Sequence, residues 1–294
     1  MPAAYVVLLV SNLIFATGYS VSRIVLEDIG PAALALARLA IGAAILVPWA
    51  WRGMVAAKLS REDHWRIGLM GVVGFTLAFA LGNWGLAHST ASNAALLITV
   101  EPASLILFSP LLLGERLSRQ EGLGAALAIV GAAVIVVNGV PGVTLALAPH
   151  WRGDLVLILS GVAYAAYSLL GRPVLLRHPA LVVTAYSIGW GAAAMLPVAL
   201  LEWAASPPSA WTPRAIMGTL YLGVVMTALG YAVWNWCLER VEAPRVAIFL
   251  NIQPLGGALL GVWWLGEQLT AFTVSGGLLI LAGLHLTVKA RRRG

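Results

Sequence analysis

The sequence predicts an all-α integral membrane protein of ten transmembrane helices, arranged as two inverted five-helix repeats. Three observations lead there. The chain is 60% hydrophobic and only 10% charged, whereas an ordinary soluble domain carries about 25% charged residues. The segment NWGLAHSTASNAALLITVEPASLILFSPLLLGERLS, from Asn83 to Ser118, returns without a gap 152 positions later as NWCLERVEAPRVAIFLNIQPLGGALLGVWWLGEQLT, from Asn235 to Thr270. The basic residues, finally, fall on alternate loops, which fixes how the spans are threaded.

Apolar runs of about 20 residues can cross a hydrocarbon core, where a backbone without water must be helical. Ten such runs follow one another: 3–22, 31–51, 66–87, 92–113, 121–139, 153–170, 179–202, 214–236, 244–265 and 271–288. The first begins without a basic leader and shows no cleavage site, so it reads as a retained helix rather than a signal peptide. Five runs make a first repeat over 3–139 and five a second over 153–288, leaving a basic tail at 289–294. The earlier helices also recur, at a spacing of 149: Ser11/Ser160, Ala16/Ala165, Arg23/Arg172 and Pro48/Pro197.

Of the eighteen Lys and Arg residues, fourteen lie in the 52–66 linker, the 115–120, 172–178 and 238–245 turns and the 289–293 tail. The opposite loops hold only Arg23, Arg152 and Arg214, and Arg38 lies inside a span. The excess places both termini in the cytoplasm of a cell whose inner membrane the chain crosses. An odd number of helices per half turns the second half upside down, and the charges follow. Arg116 and Arg119 become Gln268 and Ala271 in the second copy, while His88 and Asn93 become Arg240 and Arg245.

The same inventory excludes several classes. Cys237 is the only cysteine, and the five histidines lack metal-ligand spacing, so no cofactor or metal is expected. The net charge of +6 is scattered through loops with no basic, aromatic-studded groove, which argues against nucleic acid. No GxxxxGK[ST] loop exists, so energy from ATP by that route is excluded. An intramembrane enzyme would need a second acid or a Ser/His pair at depth, and a channel would need a repeated filter; neither is present.

Two copies of a pattern, Pro102 … Leu113-Gly114-Glu115-Arg116-Leu117-Ser118 and Pro254 … Leu265-Gly266-Glu267-Gln268-Leu269-Thr270, are each followed by paired glycines, Gly124/Gly276 and Gly131/Gly283. They resemble the paired EamA domains of the drug/metabolite transporter superfamily over nearly the whole chain. The resemblance implies a ten-helix inverted-repeat fold that moves small metabolites, often outward, through a central cavity bounded by the third, fourth, eighth and ninth helices. Members handle amino acids, drugs and nucleobases, so the substrate stays open.

Glu101 is the sharpest single signal. It falls about ten residues from either end of the fourth span, and a mid-membrane carboxylate costs roughly 2.5–3.5 kcal/mol on insertion scales unless it faces a cavity, a partner or a proton. It is a candidate for proton coupling; the alternative is a hydrogen-bonded carboxyl holding the helix at Pro102. Arg38, the only basic residue inside a span, sits about one helical turn from the depth of Glu101. It can pair with Glu101, lock helices through carbonyls, or bind an anionic substrate. Polar residues four apart share a helix face: Thr227, Tyr231 and Asn235 form one stripe, matched by Phe75, Phe79 and Asn83. Ser160, Tyr164 and Ser168 form another, matched by Ser11, Phe15 and Tyr19. Asn83, Tyr164, Tyr231, Asn235, Phe79 and Trp84 are therefore cavity candidates, suited to a small amphipathic molecule, although interhelical bonding or an interfacial belt accounts for the same residues. Pro102 and Pro254 fall mid-span and are hinge candidates, with Asn251 and Gln253 beside the second break. Glu115 and Glu267 read as structural, satisfying backbone groups at tight turns.

The function expected is a secondary active exporter of small metabolites, amino acids or amphipathic drugs, working by alternating access. Proton coupling through Glu101 and an uncoupled facilitator or exchanger are the two readings of its energetics. Its partners are a small-molecule substrate, the lipid bilayer and, in the coupled version, protons; oligomeric state is unreadable.

Overall fold

The structure, a computed structural model, describes residues 2–114, 117–138, 150–205, 211–238 and 252–291. All regular structure in them is helical. Eight stretches are long and apolar enough to cross a membrane: 6–25, 31–56, 61–87, 91–111, 119–137, 151–175, 180–205 and 213–233. Two shorter apolar helices follow, Ile252–Leu265 and Ala271–Thr287. Eight of the expected spans thus have counterparts, with ends shifted by up to five residues, and positions 244–251 of the expected ninth lie outside the described residues.

The helices are α1 (Pro2–Val25), α2 (Pro31–Ala56), α3 (Arg61–Met70), α4 (Ala78–Ala87), α5 (Ala91–Leu97), α6 (Val100–Leu113), α7 (Arg119–Val137), α8 (Trp151–Leu175), α9 (Ala180–Ala205), α10 (Pro213–Leu220), α11 (Gly230–Leu238), α12 (Ile252–Leu265) and α13 (Ala271–Arg291). Local chemistry sets many of the starts. Pro31 and Pro213 occupy first-turn positions where no N–H is needed. Ser60, Thr90, Thr212 and Thr270 each accept a hydrogen bond from the amide three residues on. Ser118 and Glu121 form the reciprocal capping box that their spacing predicts. Gly114 and Gly266 end their helices at φ 68°, in the left-handed region that favours glycine.

Two spans are not plain α-helix. A π-helical segment, Gly71–Leu77, joins α3 to α4, and another, Tyr221–Leu229, joins α10 to α11. The two end at residues related by the repeat spacing. Each packs on a different long helix. In the first, Thr76 donates to the Gly191 carbonyl of α9 at 2.9 Å; in the second, Gly223 and Thr227 lie against Ile41 and Gly42 of α2.

Equivalent helices pack on one another and run antiparallel. Gly124 of α7 meets Gly283 of α13, and seven residues on Gly131 meets Gly276, each with its Cβ position 2.4–2.6 Å from the other's carbonyl oxygen. Only glycine permits that approach. The register descends along α13 as it climbs along α7. Along α2 and α9, Glu202 reaches Ala32 while Val182 lies against Gly53.

The fourth span is interrupted at Ile98–Thr99, between α5 and α6, one turn before Pro102, which stands in the first turn of α6. Pro102 has no N–H to offer the Ile98 carbonyl, so Glu101 N takes it at 3.0 Å, and the Thr99 hydroxyl bonds back to the Leu96 carbonyl. Pro254 stands likewise in the first turn of α12.

Candidate functional site

A cavity of about 330 Å³ lies where α1, α2, α4, α5, α6, α8, α11 and α12 converge. Sites that hold a small molecule commonly measure about 300–1,000 Å³, so this one suits a single small metabolite. Its lining residues Ser22, Leu86 and Ala94 lie within a few residues of the 26–30 and 88–90 turns, so it approaches that face of the bundle. Toward the other face the rings of Phe75, Phe79, Tyr164, Tyr167 and Tyr231 pack together. Phe75, 1% exposed, makes edge contacts with Tyr167 at 5.3 Å and Tyr231 at 5.7 Å between centroids, geometry that adds to plain burial.

Arg38 and Glu101 both line this cavity, but they do not pair: no ion pair joins them within 4 Å. The Arg38 Nε donates to the Thr227 hydroxyl at 2.8 Å, and its guanidinium lies over the Phe79 ring at 4.7 Å. Thr227 in turn donates to the Leu222 carbonyl, five residues back, a partner that the π-helical turn brings into reach. Glu101 meets the Ser168 hydroxyl at 3.5 Å. Gly161 of α8 lies against the α5–α6 break, its Cβ position 3.3 Å from Glu101 N. Depth along the chain put Arg38 and Glu101 within about one helical turn of each other but not at one azimuth, and Thr227 captures the arginine instead.

Phe79, Asn83, Tyr164, Tyr231 and Gln253 also line the cavity. Asn83 donates to the Pro31 carbonyl at 3.0 Å, and Gln253 donates to Asn12 at 2.8 Å. Trp84 does not line it: the helix face that presents Phe79, Asn83 and Leu86 turns Trp84 outward, where it stacks on His88 at 4.0 Å and is 39% exposed. The Asn235 side chain and all of Asn251 lie outside the described residues, as does Glu115. Pro102 and Pro254 are absent from the lining.

Sequence reasoning missed Gly82 and Met226 in the lining, and it missed a buried network near the cavity mouth. There Asp154, 1% exposed, accepts bonds from the Ser89 hydroxyl and from Asn93, whose amide oxygen accepts from Thr273. Beside it Glu267 accepts from Ala91 N at 2.6 Å, Ser92 N at 2.8 Å and the Ser92 hydroxyl at 2.6 Å, capping α5 from the second half of the chain. Glu202 caps α2 in the same manner through Ala32 N and Ala33 N. No local pattern marks these partners, since each lies more than 60 residues away in sequence.

The chain matches the EamA-like transporter family over residues 2–137 and 151–289. It is 30% identical, over 95% of its own length and 91% of the other's, to a protein of Streptantibioticus cattleyicolor named as a probable terminal-alkyne amino-acid exporter. It is 25% identical, over 76% of its length and 78% of the other's, to a probable amino-acid metabolite efflux pump of Salmonella typhimurium. A crystal structure that covers 100% of this chain and 99% of its own shares the fold at a TM-score of 0.66 and 19% identity.

Proposed function

We propose, from the premise that this chain belongs to the EamA-like transporter family, that it is a secondary active exporter of small zwitterionic metabolites, with amino acids as the class. The observation that carries this reading is that one cavity is lined by a guanidinium and a carboxyl group, Arg38 and Glu101, that do not pair with each other. Unpaired buried charges are costly. A ligand carrying a carboxylate and an ammonium satisfies both, the guanidinium offering a fork of donors to the carboxylate and Glu101 accepting from the ammonium. The names of the two relatives point the same way.

The alternating-access frame comes with the reading: ten helices in two inverted halves, 3–139 and 153–288, both termini cytoplasmic, in the inner membrane. The antiparallel packing of α7 on α13 and of α2 on α9 is what such a two-fold relation produces. With the 26–30 and 88–90 turns outside the cell, the cavity faces outward and the rings around Phe75 form its cytoplasmic floor. The α5–α6 break, one turn before Pro102, and the first turn of α12 around Pro254 are where the halves bend. Proton entry through Glu101 drives efflux, because a proton and an ammonium compete for one carboxylate.

Titration calorimetry on the purified protein tests the ligand class. An amino acid binds the wild type, its decarboxylated amine and its deaminated acid bind at least tenfold more weakly, and Arg38→Gln removes the preference for the carboxylate. A protein that binds the amine as well as the amino acid refutes the zwitterion reading.

A further inference from the structure

We propose that Gly82 sets the size of the apolar side chain that the cavity accepts, and that this side chain is aliphatic. The inference rests on the zwitterion reading above. Along α4 the residues Phe79, Gly82, Asn83 and Leu86 all line the cavity, spaced as one helix face. The wall they belong to is chemically divided. Phe79 stands beside the rings of Phe75 and Tyr164, whereas Leu86 packs in a separate, largely aliphatic cluster with Ala94 and Leu157. Gly82 stands between the two.

A Cβ at Gly82 would meet only Ser160, its oxygen at 3.0 Å and its Cβ at 3.8 Å. The rest of the space before Gly82 is cavity. The other lining glycines differ: a Cβ at Gly18 runs into the Met226 methyl at 2.5 Å, and one at Gly230 into the Phe15 ring at 2.6 Å. Those two are filled by neighbours, so Gly82 alone among them holds room for a ligand. The polar groups nearest to it are already engaged, Ser160 donating to the Ala78 carbonyl at 2.8 Å and Asn83 to the Pro31 carbonyl. With Leu86, Ala94 and Leu157 the subsite offers contact mainly to methylenes, while Arg38 and Glu101 lie on other helices to hold the charged end.

The test is calorimetric binding of L-alanine, L-2-aminobutyrate, L-norvaline and L-leucine to wild-type protein and to Gly82→Ala. A methyl placed in the subsite excludes about one methylene of ligand, which is worth roughly 10–200-fold in a fitted apolar pocket. The ratio of norvaline and leucine affinity to alanine affinity is thus expected to fall by about tenfold or more. The contact at Ser160 can hinder folding of this variant, so the double variant Gly82→Ala/Ser160→Ala removes that oxygen while keeping the methyl, and it is expected to give the same fall. A ratio unchanged in a variant that folds overturns the role of Gly82 and leaves the zwitterion reading standing. A wild-type protein that binds none of the four overturns the aliphatic subsite, while the comparison of amino acid with its amine and acid tests the zwitterion reading separately.

Discussion

Removing the Glu267 carboxylate should unfasten α5, and the structure sets the size of the effect. Helix α5 is only seven residues long, too short to hold itself, and its first amides depend on outside acceptors. Thr90 serves Asn93 N, and Glu267 serves Ala91 N, Ser92 N and the Ser92 hydroxyl. Hydrogen bonds to a charged group contribute about 1.5–3 kcal/mol each, and the carboxylate adds roughly 0.3–1 kcal/mol against the helix dipole. The site is partly open to water, which can replace part of this, so about 3 kcal/mol is expected for Glu267→Ala. Glu267→Gln keeps one acceptor oxygen and loses about 1 kcal/mol. At roughly 2–4 °C per kcal/mol, tryptophan-detected melting in detergent should fall by about 6–12 °C for alanine and about 2–4 °C for glutamine. An alanine variant that melts with the wild type refutes the assignment of the Glu267 turn to capping.

Thr227→Val keeps the shape of the side chain but leaves Arg38 Nε without its acceptor, so amino-acid affinity should drop roughly tenfold while Thr227→Ser restores it; calorimetry reads both. Gly131→Ala places a Cβ 2.5 Å from the Gly276 carbonyl and forces α7 and α13 apart, at a cost of about 1–3 kcal/mol seen as a lower melting temperature. Asp28, in the 26–30 turn, is held below the usual carboxylate range by hydrogen bonds from Arg214 and then Thr212. A lowered folded value means that its stabilising effect is complete above its unfolded value of about 3.9 and is lost as pH falls through the folded one. The melting difference between wild type and Asp28→Asn should therefore be constant near neutral pH and vanish in strong acid.

Helix positions were legible because lipid leaves the chain so few choices: about 20 apolar residues in a row must be helical, and the span ends found here differ from the expected ones by a few residues. Caps were legible for the same local reason, Ser118 and Glu121 being three apart. What the sequence hid is azimuth and partnership. Trp84 follows Asn83 by one residue, which is about 100° around a helix, enough to carry it from cavity to outer surface. Arg38 and Glu101 differ in depth by only about one helical turn, yet Thr227 lies closer to the arginine because a π-helical segment turns it there, and nothing in the glycines of either segment distinguishes π-helix from ordinary close packing. The Asp154, Ser89, Asn93 and Thr273 network joins residues from both halves of the chain. Gly82 was invisible for a simpler reason, since an absent side chain leaves no pattern.

Efflux from proteoliposomes under an imposed pH gradient tests the central claim most directly. Protein is reconstituted with a radiolabelled aliphatic amino acid inside, and the external pH is lowered by about one unit, a tenfold proton concentration ratio worth about 1.4 kcal/mol of driving force. The wild type should release label faster under the gradient than without it. Glu101→Gln should lose the dependence on the gradient, and Arg38→Gln should lose transport of the amino acid altogether. Release by the wild type that is indifferent to the gradient, or an unchanged pH dependence in Glu101→Gln, contradicts a coupled exporter that works through this pair.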